Sequence, residues 1–338
     1  MIANIWLALA GVVLLVKGSD FFVKAAASIA KNFGISDFVI GLTLVAIGTS
    51  IPELAASVTA ALSKQSGLIV GNAVGSNIAN IGLIVGLTCI FSVIKTDEEM
   101  LKRDGYVMML GSILFFLFIL DNSLSRVEAG VLILVYLAYV IFLVADKPKY
   151  KGKYGFKSFV SYFLRFEYVI DAKILGKKGD AGERHIDKAK LVNDFIVIVF
   201  GGVAIVMGAK YLVESAVFFA RIFDIPDTIV GISLIAIGTS LPELSVSISA
   251  AKEGLGNIAL GNIIGSNIAN ILLVAGISGV ISPLSIIDQT KFFFVPFMIF
   301  ISLLMLIFLK SEWKLRRTEG IALLGLYVIF LLITFLVA

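Results

Sequence analysis

Two glutamates stand where an apolar chain has little reason to carry them. Glu53 and Glu243 each lie in an otherwise apolar stretch, preceded in one case by Thr49, Ser50 and Pro52 and in the other by Thr239, Ser240 and Pro242. An ionisable group at such a place is costly and by default marks an ion or substrate pathway. Proline cannot donate a backbone hydrogen bond and its ring clashes with the carbonyl four residues back, here Gly48 and Gly238. Each helix should therefore break, leaving carbonyls of 46–48 and 236–238 to face a cavity; irregular backbone at membrane depth is tolerated only where it is buried in protein or lines such a cavity. The ligands on offer within one turn are carboxylate, hydroxyl and carbonyl oxygens. Hard cations such as Ca²⁺ and Na⁺ take that set, whereas zinc or copper would want nitrogen or sulfur. The competing reading is a structural glutamate that caps a helix or pairs with a buried lysine. Lys17 and Lys210 are the lysines in apolar runs, and each has a local acid, Asp20 and Glu214.

A second block supplies a facing wall. Asn72, Ser76 and Asn80 recur at helical spacing of four, making one polar stripe, and Asn262, Ser266 and Asn270 repeat it. Gly71, Gly75 and Ala79, with Gly261, Gly265 and Ala269, form a small-residue stripe beside it that suits close helix packing. The serines and Asn80 and Asn270 read as ligands; Asn72 and Asn262 suit either ligation or interhelical hydrogen bonding.

Both blocks are halves of an internal repeat. GLTLVAIGTSIPEL at 41–54 matches GISLIAIGTSLPEL at 231–244 in ten of fourteen positions, and GNAVGSNIAN at 71–80 matches GNIIGSNIAN at 261–270 in eight of ten, both at an offset of 190. A unit this long that occurs twice is one half of a pseudo-symmetric protein, not a solenoid repeat.

These elements must be carried by a membrane. Hydrophobic residues make up 59% of the 338 residues and charged ones 15%, in runs long enough to span a bilayer. The sequence predicts ten spans, at 2–31, 36–64, 68–94, 99–120, 123–144, 191–221, 226–253, 257–281, 288–310 and 317–337. The N-terminal run lacks a positive leader and a small-residue cleavage site, so it reads as a retained first span. Three regions follow: a first repeat at 1–144, a basic loop at 145–190 and a second repeat at 191–338. Five spans per half is odd, so the halves enter from opposite sides, the inverted-repeat design with a binding site near the midplane.

Lysine and arginine set the orientation. With both termini outside, the inner segments carry twenty-two of these residues and the outer ones four, so 145–190 is cytoplasmic. The net charge of +4 is mostly this bias and not a nucleic-acid footprint. Within the loop, 156–170 interleaves aromatics with charges, as an interfacial helix does; a solvated loop is the plainer reading, an anionic-lipid or regulatory site the other. The one cysteine, Cys89, excludes a disulfide framework, and the one histidine, His185, lies in the loop, away from any intramembrane chemistry.

The doubled G-T-S-x-P-E and G-N-x-x-G-S-N motifs closely resemble the two alpha-repeats of the sodium/calcium exchangers, in the cation/calcium exchanger superfamily. The resemblance implies an all-α membrane protein of ten helices, broken at the ion site. It implies a calcium site built by Glu53 and Glu243 with the Thr49 and Thr239 carbonyls. Flanking sodium sites would use the Ala46 and Ala236 carbonyls with Ser50, Ser240, Ser76 and Ser266, and Asn80 and Asn270 would lie at the centre. Ca²⁺ and Na⁺ would be substrates, with no cofactor and no obligate protein partner. Some relatives carry Asp where this chain has Asn270, which leaves stoichiometry and potassium coupling open. The loop is short, so allosteric calcium control is not expected. Proton/calcium exchangers of the superfamily place an acid after the G-N of the second block, where Ala73 and Ile263 stand here.

The leading expectation is therefore a plasma-membrane antiporter exchanging Ca²⁺ for Na⁺, with H⁺/Ca²⁺ exchange as its rival. A channel usually builds its filter from subunits around one axis, and an enzyme would need a nucleophile–base pair or metal–nitrogen cluster that the sequence does not offer.

Overall fold

The computed structural model describes residues 2–33, 37–96, 98, 101–144, 155–169, 171, 188–222 and 236–337. In the first half, α1 is Ile2–Phe33. The next span is broken: α2 covers 37–49 and α3 is Ile51–Leu62, bent by 45° at Ser50. Then come α4 (Ser66–Phe91), α5 (Leu101–Asp121) and α6 (Arg126–Val144), with two-residue strands β1 (Ile94–Lys95) and β2 (Ser123–Leu124) between them. A short amphipathic helix, α7 (Phe156–Leu164), follows.

The second half repeats the order. It runs through α8 (Lys188–Ile222), the broken pair α9 (Ala236–Thr239) and α10 (Leu241–Lys252), then α11 (Gly256–Ile281). Strand β3 (Leu284–Ser285), α12 (Thr290–Glu312), β4 (Lys314–Leu315) and α13 (Arg317–Val337) complete it. Among the described residues eight helices are long and apolar enough to cross a membrane, and the bent pair α2–α3 makes a ninth. The tenth expected span, 226–253, is described only from Ala236, as α9 and α10; 226–235 lie outside the described residues.

The symmetry is visible in the strands. β1 pairs antiparallel with β4, and β2 with β3, so exchanging the halves exchanges the two ribbons. Asn122 and Trp313 both take a left-handed conformation, with φ of 66° and 55°. Their carbonyls accept the amides of Ile286 and Thr96 at 2.8 and 2.9 Å. The offset here is 313 minus 122, or 191 instead of 190, so the second half carries one extra residue between β3 and this turn. The next helix in each half starts with a carboxylate folded back on its N-terminus: Glu128 accepts from the Ser125 amide and hydroxyl, and Glu319 from the Arg316 amide. That is the capping-box arrangement.

Buried apolar side chains form two clusters. The larger is centred on α4 and α11, enclosed by α5, α6, α12 and α13. The smaller joins α1 and α8 to the edges of α2 and α10. Close approach at the centre depends on missing side chains. A Cβ on Gly41 would stand 2.6 Å from the Ile258 carbonyl oxygen, and one on Gly261 2.6 Å from that of Phe38; Gly265 meets the Leu42 carbonyl. Packing therefore accounts for Gly261 and Gly265. Gly71 and Gly75 meet nothing within 4 Å among the described residues; the segment mirroring 41–45 is 231–235, which lies outside them.

Candidate cation site

Both predicted breaks occur, two residues before each proline, but the Ala46 carbonyl is not left free as the sequence predicts, since it keeps the Ser50 amide. Ser50 (φ −86°, ψ 6°) and Ser240 (φ −89°, ψ 3°) leave helical geometry, and Pro52 and Pro242 sit in the first turn of α3 and α10, where a missing N–H costs nothing. The Leu54 and Leu244 amides close the new helices on the Ser50 and Ser240 carbonyls, each at 3.1 Å. Glu53 and Glu243 thus fall in the first turn of a fresh helix, where the N-terminal dipole favours a carboxylate. Both side chains are essentially inaccessible, at 1% and 0% exposure.

Asn72 and Asn262 have a bracing role. Asn72 Nδ2 donates to the Glu53 carbonyl (3.1 Å) and to Ser57 Oγ (2.9 Å), and Asn262 Nδ2 donates to the Glu243 carbonyl (3.4 Å) and Ser247 Oγ (3.0 Å). One asparagine per half thus ties the helix of the second block to the first turn after the break. Ser57 and Ser247 were not singled out from the sequence, although they too match at an offset of 190 and repeat the same spacing of 15 to their asparagine.

The halves meet across this centre. Ser50 Oγ lies 3.2 Å from Glu243 Oε1 and 3.1 Å from Ser266 Oγ. Thr49 Oγ1 donates to Asn262 Oδ1 at 3.1 Å. Asn80 Nδ2 donates to Asn267 Oδ1 (3.2 Å), and Asn77 Nδ2 to the Asn267 carbonyl (3.0 Å); Asn77 and Asn267 are further centre residues that sequence reasoning passed over. Ser76, Asn80, Ser266, Asn270 and Ser240 are all buried, while Thr239, at the end of α9, is half-buried. The Ala46 carbonyl accepts the Ser50 amide at 3.0 Å and lies 3.3 Å from Thr49 Oγ1. Of Ala236, the backbone opens α9. A π-helical stretch begins at Asn80 and another at Asn270, a local widening that is frequent at functional sites.

The site is rich in polar atoms with nothing to bind. Both Glu53 oxygens, Glu243 Oε2, Ser240 Oγ, Asn80 Oδ1 and both polar atoms of Asn270 are buried without a hydrogen-bond partner among the described residues. Leaving a buried polar atom unmade costs about 1–3 kcal/mol, more when it is charged, so such a concentration calls for a ligand. No cation among the described residues answers it: neither glutamate joins a salt bridge there. The well-buried cations among the described residues are otherwise engaged, Arg103 with Asp104 and Lys291 with Asp288, Asn122 and the Leu120 carbonyl. No cluster of three His, Cys, Asp or Glu side chains occurs among the described residues; the chemistry is carboxylate, amide and hydroxyl oxygen.

The family model for sodium/calcium exchanger proteins matches residues 3–145 and 193–336. The chain belongs to the sodium/calcium exchanger family. It is 50% identical over 344 residues to sodium/calcium exchanger MaX1 of Methanosarcina acetivorans, covering 98% of each chain. An uncharacterized membrane protein of Methanocaldococcus jannaschii is 36% identical over 326 residues, covering 95% of this chain and 94% of that one. The fold matches that of the sodium-calcium exchanger NCX_Mj soaked with 2.5 mM Na⁺ and 0.1 mM Ca²⁺, with a TM-score of 0.78, 33% identity and 97% of both chains covered. The chain is thus an all-α, multi-pass membrane transporter of the inverted-repeat class.

Proposed function

We propose that this exchanger is an antiporter that moves Ca²⁺ against Na⁺ by alternating access, through one site that both halves build. The observation that carries the reading is the pair of buried, unpaired carboxylates, one from each half, ringed by partnerless oxygen atoms. Glu53 and Glu243 hold Ca²⁺ together with the Thr49 and Thr239 carbonyls. Na⁺ takes flanking positions formed by the Ala46 and Ala236 carbonyls, Ser50, Ser240, Ser76 and Ser266, around Asn80 and Asn270. Two carboxylates are balanced by one Ca²⁺ or by two Na⁺. The two loads exclude each other because they share those charges, and this mutual exclusion is the physical basis of antiport.

Protons could also discharge both glutamates, because burial favours the neutral acid. They have no use, however, for the hydroxyls and amides that line the site. In this reading the exchanger lies in the plasma membrane; the excess of lysine and arginine in 145–190 supports a cytoplasmic side for that segment, with the termini outside.

The test is Ca²⁺ flux from proteoliposomes against an imposed Na⁺ gradient, with pH clamped on both sides. The reading expects an inward Na⁺ gradient to drive Ca²⁺ out, and Ser50→Ala or Ser240→Ala to weaken Na⁺ dependence more than Ca²⁺ binding. Flux that ignores Na⁺ and follows a pH gradient would establish the proton-coupled exchanger instead.

A further inference from the structure

Where α4 meets α11, one chain of contacts breaks the symmetry of the repeat. Asn77 and Asn267 are equivalent by the offset of 190, as are Asn80 and Asn270, and Met108 on α5 and Met298 on α12. All six side chains are buried, yet their contacts are one-sided. Asn267 Nδ2 donates to Met108 Sδ at 3.7 Å, and Asn267 Oδ1 accepts from Asn80 Nδ2 at 3.2 Å. Asn77 Nδ2 donates instead to the Asn267 carbonyl at 3.0 Å, and its Oδ1 has no partner among the described residues.

The order of atoms along this chain is fixed from the methionine. A thioether sulfur carries no proton and only accepts, so the Asn267 amide turns its Nδ2 to Met108. Its Oδ1 then faces Asn80, where only the Asn80 Nδ2 can meet it. Asn80 Oδ1 is the atom left over, buried and without a partner among the described residues. Reversing the Asn80 amide would set two oxygens face to face and forfeit the hydrogen bond. Asn270 has no such fastening: neither of its polar atoms is engaged among the described residues.

We infer that Met108 and Asn267 are positioning residues that fix Asn80 as an oxygen donor to the transported cation, while Asn270 stays free to turn. The inference rests on the placement of Asn80 around the Na⁺ positions proposed above. A cation is met by the oxygen of an amide and repelled by its N–H groups. An amide held in the right orientation before binding loses less freedom when the ion arrives. The first half thus brings a prearranged oxygen to the centre and the second an adjustable one.

The test uses a matched pair of substitutions. Met108→Leu nearly conserves volume and removes the acceptor. Met298→Leu is its control, because each methionine carbonyl is bonded alike by a serine four residues on, Ser112 or Ser302. Ca²⁺ binding to the purified chain is measured in Na⁺-free buffer, and the bound Ca²⁺ is then displaced with Na⁺. Both variants should keep Ca²⁺ affinity and thermal melting near each other. Met108→Leu alone should raise the half-displacing Na⁺ concentration about twofold, the square root of an about fivefold loss at one of two Na⁺ positions. Asn80→Ala should raise it at least as much. In an Asn80→Asp background, where either carboxylate oxygen serves, Met108→Leu should add nothing. Equal effects of the two leucine substitutions, a Met108→Leu loss shared by Ca²⁺ and Na⁺, or a shift that persists beside Asn80→Asp would overturn the inference. So would an effect of Asn80→Ala without one of Met108→Leu, which leaves the proposed site standing. Displacement in Asn80→Ala that matches wild type, or Ca²⁺ that Na⁺ does not displace even from wild type, would instead remove Asn80 from any Na⁺ position and overturn the site and the relay together.

Discussion

Asn72 and Asn262 make the same pair of hydrogen bonds in the two halves, yet the helices that flank those halves do not match. On one side α1 is fastened to α10: Ser19 bonds Ser245 at 2.6 Å, Ser249 donates to Asp20 at 2.6 Å, and Lys24 pairs with Glu253 at 3.1 Å. The residues at an offset of 190 are Ala209, Lys210 and Glu214 on α8, and Ala55, Thr59 and Ser63 on and just after α3. Ala209 and Ala55 have no polar side chain to bond, Thr59 donates to the Ala55 carbonyl, and Lys210 lies 3.8 Å from Glu214 on its own helix. The periphery differs elsewhere too. Asp104, buried in α5 between Arg103 and the Tyr139 hydroxyl, has no acid opposite it; the second half packs Phe294 and Phe297 against Phe330 there. Symmetry is kept at the carboxylates and asparagine braces of the candidate site and is relaxed in the helices around it.

The strongest way to break this comparison is at the glutamates. Glu53→Gln and Glu243→Gln should each lower Ca²⁺ transport by on the order of a hundredfold or more, since removing one partner of a buried charge pair costs about 3–5 kcal/mol. The two losses should be similar in size, with the thermal melting of both proteins preserved. A variant that still transports at the wild-type rate would remove its glutamate from the site.

The braces come next. Asn72→Ala and Asn262→Ala each strand a glutamate carbonyl and a serine hydroxyl in the interior, for about 1–3 kcal/mol. Both should lower the midpoint of thermal unfolding in detergent by similar amounts. A large loss for one and none for the other would show that the breaks are held differently in the two halves.

The smaller effects sharpen the difference at the edges. Asp20→Asn weakens a contact that only one half makes. It should change the ratio of apparent Ca²⁺ affinities measured from the two sides of the membrane by about fivefold, the consequence of about 1 kcal/mol. Lys210→Gln, at the matching position, should leave that ratio unchanged. Equal responses would mean that the fastening of α1 to α10 does not favour one access state. Smallest of all is the loop: replacing 147–188 by a short flexible linker should leave exchange in neutral lipid near the wild-type rate in flux assays, because both halves of the site lie outside it.

Much of the candidate site was legible in residue types, because a duplicated motif shows each candidate position twice. The two carboxylates, the proline breaks and the hydroxyls beside them needed no coordinates. Other features were hidden for physical reasons. The π-helical stretches that begin at Asn80 and Asn270 have no proline in the sequence to announce them, although both start at the end of the same GSNIAN motif. Ser57 and Ser247 look like ordinary small residues of a packed helix until their asparagines are placed beside them. Sequence reasoning paired Lys17 with Asp20 along α1, but Asp20 instead accepts from Ser249 on α10, a contact across 229 residues that no local pattern announces. The extra residue after β3 was invisible because both motif blocks precede it.

The central claim is that the halves build one site together and not one site each. Equilibrium Ca²⁺ binding to the purified chain in Na⁺-free buffer at fixed pH, measured by calorimetry on wild type, Glu53→Gln and Glu243→Gln, tests it most directly. The account predicts one Ca²⁺ per wild-type chain and loss of that binding in either single variant, with added Na⁺ displacing the ion from wild type. Two ions per chain, with one retained when either glutamate is replaced, would contradict it.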